Sequence, residues 1–253
     1  MSAPGRSVAG SVVLVTGAGS GMGEATARVF AADGAFVAVT DLRLEDAQAV
    51  ADAIGDSAVP WALDVTNDAQ ISEVVAAVGE RFGRLDIVVN NAGFAAFRSL
   101  DDPDYGDTWD RSLAVHLTAP VRVVRAALPF LRNSPAPRVV NIASTEALGA
   151  TPYDSPYVAA KSGLAGLTRS LAVDLGRDGI TVNCICPGPI DTAMTAAIPA
   201  EDKDTYARRR TALRRYGRAE EVAHVTLSVC LPAASYLTGA VIPVDGGLMA
   251  RNA

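Results

Sequence analysis

Short runs of β-branched and other apolar residues recur along this chain, and most are followed by a stretch with helical spacing. No other feature limits the possible folds as strongly. The runs cover 11–16, 35–40, 59–63, 85–89, 138–142, 180–185 and 240–244. They are continuous rather than alternating, as strands covered on both faces are. Helices are predicted over 24–33, 44–54, 67–82, 105–133 (broken before 108), 155–177 and 219–231, with an irregular, Arg-rich helical stretch over 191–215. Strands alternating with helices imply right-handed βαβ crossovers. The expected fold is α/β and doubly wound, a parallel sheet of about seven strands with helices on both faces.

The bulk properties narrow the function classes. The chain has 253 residues, 49% hydrophobic and 20% charged, which suits one domain over 10–253 behind a flexible tail at 1–9. A formal net charge of −6 argues against nucleic acid or an anionic membrane as partner. Cys184, Cys186 and Cys230 are odd in number and follow no framework spacing. That fits a reducing compartment, the cytoplasm, and no metal site is expected. No leader and no apolar run of membrane-spanning length is read.

In such a sheet, ligands bind beyond the carboxyl ends of the strands. The unusual residues of this chain collect there: Gly17-Ala-Gly19-Ser20-Gly21-Met22-Gly23, then Asp41-Leu42, Asp64-Val65, Asn90-Asn91-Ala92-Gly93, Ser144 and Pro187-Gly188-Pro189. A glycine loop between a buried strand and a helix allows a tight turn and close approach of the backbone to a pyrophosphate, at the positive end of the helix dipole. Asp41, about 20 residues beyond it, fits an acceptor for ribose hydroxyls. Tyr157 and Lys161 are four apart, so they share a helix face. A phenol beside an ammonium makes a usable proton donor and acceptor, and the cation is expected to lower the phenol pKa. Ser144 ends the preceding strand and can bring a hydroxyl to the same place. Alone, Tyr-x-x-x-Lys occurs by chance in many helices; the convergence at the strand ends is what gives it weight.

With these residues in view, the chain from about residue 10 to residue 249 resembles the classical short-chain dehydrogenase/reductases. The resemblance rests on Thr16-Gly17-x-x-x-Gly21-x-Gly23, Asp64, Asn90 to Gly93, Ser144, Tyr157-x-x-x-Lys161, Asn183, Pro187-Gly188 and Val244-Asp245-Gly246-Gly247. It implies a Rossmann fold, a nicotinamide cofactor, a small-molecule alcohol or ketone substrate, and a homotetramer. It further implies that Gly17, Ser20, Gly21 and Met22 line the pyrophosphate and adenosine ribose, and that Asp64 and Val65 flank the adenine. Asn91, Ala92 and Gly93 would hold the adenosine side. Lys161 would reach the nicotinamide ribose, and Pro187, Gly188, Ile190 and Thr192 the nicotinamide. Ser144, Tyr157 and Lys161 would be catalytic.

Asp41 would bind both ribose hydroxyls of NAD and repel the 2′-phosphate of NADP. Ser20 offers no compensating cation, and Arg43 reads as a solvated helix-start residue. NAD is therefore the expected cofactor. One position departs from the family, which usually has Asn where this chain has His116. An imidazole there could continue a proton relay with its own pH dependence, or simply pack. The substrate pocket is read as mainly apolar, from the segment 94–97, Glu146, Leu148, Tyr153 and a lid at about 191–215. Phe94 and Tyr153 would be walls, and Glu146 could meet a substrate hydroxyl. An arginine cluster, Arg208, Arg209, Arg210, Arg214 and Arg215, could recruit an anion or form surface ion pairs. The leading reading is an NAD-dependent secondary alcohol dehydrogenase. The competing ones are a 3-oxoacyl-thioester reductase and a dinucleotide-binding protein without catalysis.

Overall fold

The computed structural model describes residues 5–95 and 97–251. The chain runs β1 (Val12–Thr16), α1 (Gly21–Ala32), β2 (Phe36–Asp41), α2 (Leu44–Ile54), β3 (Ala58–Ala62), α3 (Asp68–Phe82) and β4 (Ile87–Asn90). It continues through α4 (Tyr105–Leu113), α5 (Ala119–Leu131), β5 (Arg138–Ile142), α6 (Ser155–Leu175) and β6 (Thr181–Pro187). The last elements are β7 (Ile190–Asp191), α7 (Ala200–Arg210), β8 (Gly217–Arg218), α8 (Ala219–Cys230) and β9 (Val241–Val244). Seven strands form one parallel sheet in the order β3-β2-β1-β4-β5-β6-β9. The chain winds outward from β1 to β3 and then restarts at β4 on the other side of β1. A crevice opens at that reversal.

The continuous apolar runs are explained by the two faces. Val13 and Val15 of β1 point into one core layer with Phe30, Val39 and Ile185. Val12 and Leu14 point into the other with Ile71, Leu131 and Val182. α1 packs against α8 over the first layer, and α3 against α5 over the second. A buried ladder crosses the sheet: Asn90 Nδ2 donates to Asn141 Oδ1 at 2.9 Å, and Asn141 Nδ2 to Thr168 Oγ1 at 2.9 Å. Because these side chains are paired, they are tolerated inside.

Two expectations are corrected. Residues 7–9 are not frayed: Val8 is buried, and its N–H donates to Asp33 Oδ2 at 2.7 Å. The carboxylate at the end of α1 supplies the anchor that composition did not reveal; residues 1–4 lie outside the described residues. The predicted break before 108 is absent. α4 and α5 run on through a π-helical turn, Ala114–Thr118, that contains His116. This continuous helix is long and apolar enough to cross a membrane by length and composition. Here it lies along the sheet instead, with α5 against α3 and β4 and with α4 against α6. The stretch at 191–215, expected as an irregular helical lid, contains α7 and is bordered by the parallel pair β7–β8.

Candidate active site

A cavity of about 560 Å³ opens at the carboxyl ends of the central strands. One end is walled by the glycine loop and Asp41, the other by Tyr157 and Lys161, with Thr192 also in the wall. Leu42, Asp64, Val65, Asn91, Ala92, Gly93 and Phe94 line the stretch between, so most of the predicted cofactor residues do come together. The spacing of motifs had not suggested Thr66, Arg111 or Val115, which also line it, whereas Met194, another lining residue, falls in the expected lid. Arg111 lies over the Phe94 ring, 4.4 Å from its centroid.

The loop geometry follows from its glycines. Gly17 has φ 62, and a Cβ there would fall 2.7 Å from Ala92 Cα. At Gly23 a Cβ would stand 2.1 Å from the Gly17 carbonyl oxygen, so this glycine permits close packing of loop on helix rather than facing the cavity. Asn91 holds the loop down, donating from Nδ2 to the carbonyls of Thr16 and Gly17 at 3.0 and 2.9 Å. The first α1 amides, of Gly21, Met22 and Gly23, precede the first bond of the helix, from Glu24 N–H to Ser20 O at 3.1 Å. Ser20 is the N-cap residue but makes no side-chain cap. Uncapped amides at a helix start, behind side-chain-free residues, form a seat for a diphosphate. Asp41 Oδ2 accepts the Gly19 N–H at 2.9 Å. Arg43 pairs with Asp46 at 3.1 Å, so its charge is engaged next to the loop. The donor set and the shape therefore fit a dinucleotide.

Pro187, Gly188 and Ile190 are not in the cavity wall. Gly188 N–H bonds Val244 O at 3.0 Å, and Ile190 is buried in the core. Thr192, just beyond, faces Gly21: a Cβ on that glycine would be 3.5 Å from Thr192 Cβ.

At the other end, the first turns of α6 present Tyr157 and Lys161. Lys161 is buried, and its Nζ donates to the Ile142 carbonyl at 2.8 Å. It stands 5.4 Å from the Tyr157 ring centroid. Burial lowers its pKa to about 8. The expected lowering of the phenol is not seen: burial raises the Tyr157 pKa, and the neighbouring Ser144 hydroxyl draws it only partly back. Lys161 faces a carbonyl rather than the phenol, which accounts for the difference. Ser144 Oγ also accepts the Glu146 N–H at 3.1 Å.

His116 is buried against Tyr157, edge to face at 4.9 Å, and against Phe94 at 4.9 Å. Neither ring nitrogen has a hydrogen-bond partner among the described residues. Burial, helped by the Lys161 charge, lowers its pKa to about 2. It is a neutral ring at any ordinary pH. Glu146 is held by Thr151, whose N–H and Oγ1 donate at 2.9 and 2.7 Å. Tyr153 is 68% exposed, with φ 64, and stands outside the cavity. Of the arginine cluster, Arg208 pairs with Asp204 and Arg215 with Glu221, each at 2.7 Å on the surface. Among the described residues there is no metal-binding cluster.

Residues 17–249 match the family model described as enoyl-(acyl carrier protein) reductase. The chain is 37% identical to the 3-oxoacyl-(acyl-carrier-protein) reductase FabG of Thermotoga maritima, over 95% of this chain and 98% of that one. It is 38% identical to meso-2,3-butanediol dehydrogenase of Serratia marcescens, over 95% of each. A solved short-chain type dehydrogenase/reductase from Mycobacterium marinum superposes with a TM-score of 0.90 at 29% identity, covering 97% of this chain and 98% of the other. Another, from Sinorhizobium meliloti 1021 and provisionally assigned to the short-chain alcohol dehydrogenases, gives 0.91 at 36%, covering 97% and 98%. The site geometry and these matches agree: the chain belongs to the short-chain dehydrogenase/reductases, oxidoreductases that use a nicotinamide dinucleotide.

Proposed function

We propose that this protein is an NAD-dependent oxidoreductase that interconverts a secondary alcohol and a ketone, with Tyr157 as general acid and base. The observation that carries the reading is one continuous cavity with Asp41 at one end and the Tyr157–Lys161 pair at the other. The dinucleotide, when bound, supplies a hydride acceptor or donor. The chain's own residues do the rest. Amides of Gly21 and Met22 seat the diphosphate, and Asp64 and Val65 flank the adenine. In oxidation the Tyr157 phenolate oxygen takes the hydroxyl proton; in reduction the phenol returns it to the developing alkoxide. Ser144 holds the reacting oxygen in place by a hydrogen bond. Lys161, as ammonium, holds a ribose hydroxyl and favours the phenolate once charge enters the site.

Tyr157→Phe should bind the cofactor as wild type does, read by NADH fluorescence, yet lose about a thousandfold or more in kcat. Turnover within tenfold of wild type would remove Tyr157 from this role. Cofactor choice follows from Asp41, whose charge opposes a 2′-phosphate, and from Arg43, whose charge Asp46 already engages. A kcat/KM higher with NADP than with NAD would overturn that choice. Three buried free thiols suit a reducing, cytoplasmic setting. Assembly as a homotetramer is supported by α4 and α5, whose most apolar stretch is only about a third buried within one chain.

The second reading is a 3-oxoacyl-thioester reductase, favoured by the similarity to the Thermotoga maritima enzyme. The acidic residue at Asp41 counts against it, because reductive biosynthesis generally draws on NADPH.

A further inference from the structure

One charged group in the cavity wall has no part in the alcohol chemistry. Four charged residues line the cavity: Asp41, Asp64, Arg111 and Lys161. Three of them are engaged. Asp41 accepts the Gly19 N–H at 2.9 Å, Asp64 accepts from the N–H and hydroxyl of Thr66 at 2.8 and 2.7 Å, and Lys161 donates to the Ile142 carbonyl at 2.8 Å. The Arg111 guanidinium is exposed in the wall and makes neither an ion pair nor a hydrogen bond with the described residues; it lies on the face of Phe94, 4.4 Å from the ring centroid.

A partner stands close by and is not used. Asp107 is one turn before Arg111 on α4. At that spacing Glu24 pairs with Arg28 at 2.9 Å and Asp204 with Arg208 at 2.7 Å. Arg111 lies on Phe94 instead. A guanidinium laid on a ring is held in one plane with its edge N–H donors free, and that fork matches a carboxylate.

Phe94 also ties Arg111 to the reacting end. Its ring packs on His116 at 4.9 Å, and His116 packs on Tyr157 at 4.9 Å. The guanidinium and the phenol thus close the two ends of a row of ring contacts, and Arg111, Phe94 and Tyr157 line the same cavity. Phe94, Val115 and Met194 give that wall an apolar surface. The cofactor diphosphate has its own seat at the α1 amides, so the anion left for Arg111 comes with the substrate.

Resting on the alcohol–ketone reading above, we infer that Arg111 holds a carboxylate of the substrate through paired N–H···O bonds while Tyr157 acts on the carbinol. The substrate class is then a hydroxy acid, or the matching keto acid, with an apolar body between its two polar groups. Arg111 is a specificity-determining residue.

The test oxidises 6-hydroxyheptanoate and 8-hydroxynonanoate with NAD, each against its methyl ester, which keeps the length and removes the charge. In wild type, kcat/KM for at least one acid should exceed that for its ester by about tenfold or more, mainly through KM. In Arg111→Gln the acid-to-ester ratio should fall to about one. Arg111→Lys keeps the charge without the fork and should retain a preference of about threefold. NADH binding, read by fluorescence, should stay within about twofold of wild type in both variants. Esters oxidised as well as the acids by wild type, or an unchanged ratio in Arg111→Gln, would overturn the assignment and leave the alcohol reading standing. Weakened NADH binding with equal losses on acid and ester would also overturn it, giving the guanidinium to a cofactor phosphate. Should nothing in the panel be oxidised, 2-heptanol and cyclohexanol included, the alcohol reading falls and this assignment with it.

Discussion

His116 is sealed between Phe94 and Tyr157 with both ring nitrogens unpartnered among the described residues. Its pKa, lowered to about 2, leaves nothing to titrate near neutrality. The His116 nitrogen shifts in NMR should therefore stay fixed between pH 5 and 8, and His116→Asn should leave the acid limb of the pH–rate profile in place. A midpoint inside that range would mean that water or a counter-charge reaches the ring. A neutral imidazole can still pass a proton by donating at one nitrogen and accepting at the other, so of the two readings the sequence left open, relay or simple packing, the relay survives only in that form. Asp154 behaves in the opposite way. Burial first, then Glu146, raises its pKa from 3.8 to about 7. Between those values the folded state binds the extra proton, so the carboxyl's contribution to stability falls as pH rises. Asp154→Asn does not titrate, and relative to wild type it should gain on the order of 1–2 kcal/mol between pH 5 and pH 8 in urea denaturation. A gain in the other direction would show that the carboxylate is paired when folded.

Among the elements, α1 depends on its loop. Gly23→Ala would drive a Cβ to 2.1 Å from the Gly17 carbonyl and 2.5 Å from Asn91 Nδ2, neither of which can yield without opening the loop. The variant should lose NADH binding by at least about tenfold and unfold at a lower temperature. Unchanged NADH affinity would show that the diphosphate seat does not depend on this packing. Elements of this kind were legible beforehand because a strand buried on both faces leaves an unbroken apolar run, and a tight loop leaves glycines. The glycine loop, Asp41, Asp64 and the Tyr157–Lys161 face could be read from the chain on those grounds. The π-helical turn at Ala114–Thr118 could not, since one extra residue in a helical turn leaves no mark in apolar periodicity. Tyr153 errs the other way, since its turn, with φ 64, carries an aromatic residue out to solvent.

For the whole molecule, the sheet order gathers the ligand-facing residues at the carboxyl ends of the strands. About a third of the most apolar stretch of the helix over residues 105–131 is buried within one chain, and most of the rest is half-buried rather than exposed, a surface that a partner copy could complete. Sedimentation velocity should give a tetramer at micromolar concentration. A monomer there would mean that this face is covered in some other way.

The contact between Asp41 and Gly19 bears on how such a chain could change cofactor over evolutionary time. The carboxylate proposed to discriminate between ribose and its phosphate is also the acceptor that holds the loop backbone, at 2.9 Å. A side chain at position 19 would begin 2.9 Å from the same oxygen. Neither position can be altered alone without disturbing the other. A basic residue in the loop would need Asp41 to leave first, and Asp41 leaving alone would slacken the loop before any phosphate is gained. A switch of cofactor would thus be a coupled double step through a weakened intermediate, so the preference proposed above would be hard to lose by drift.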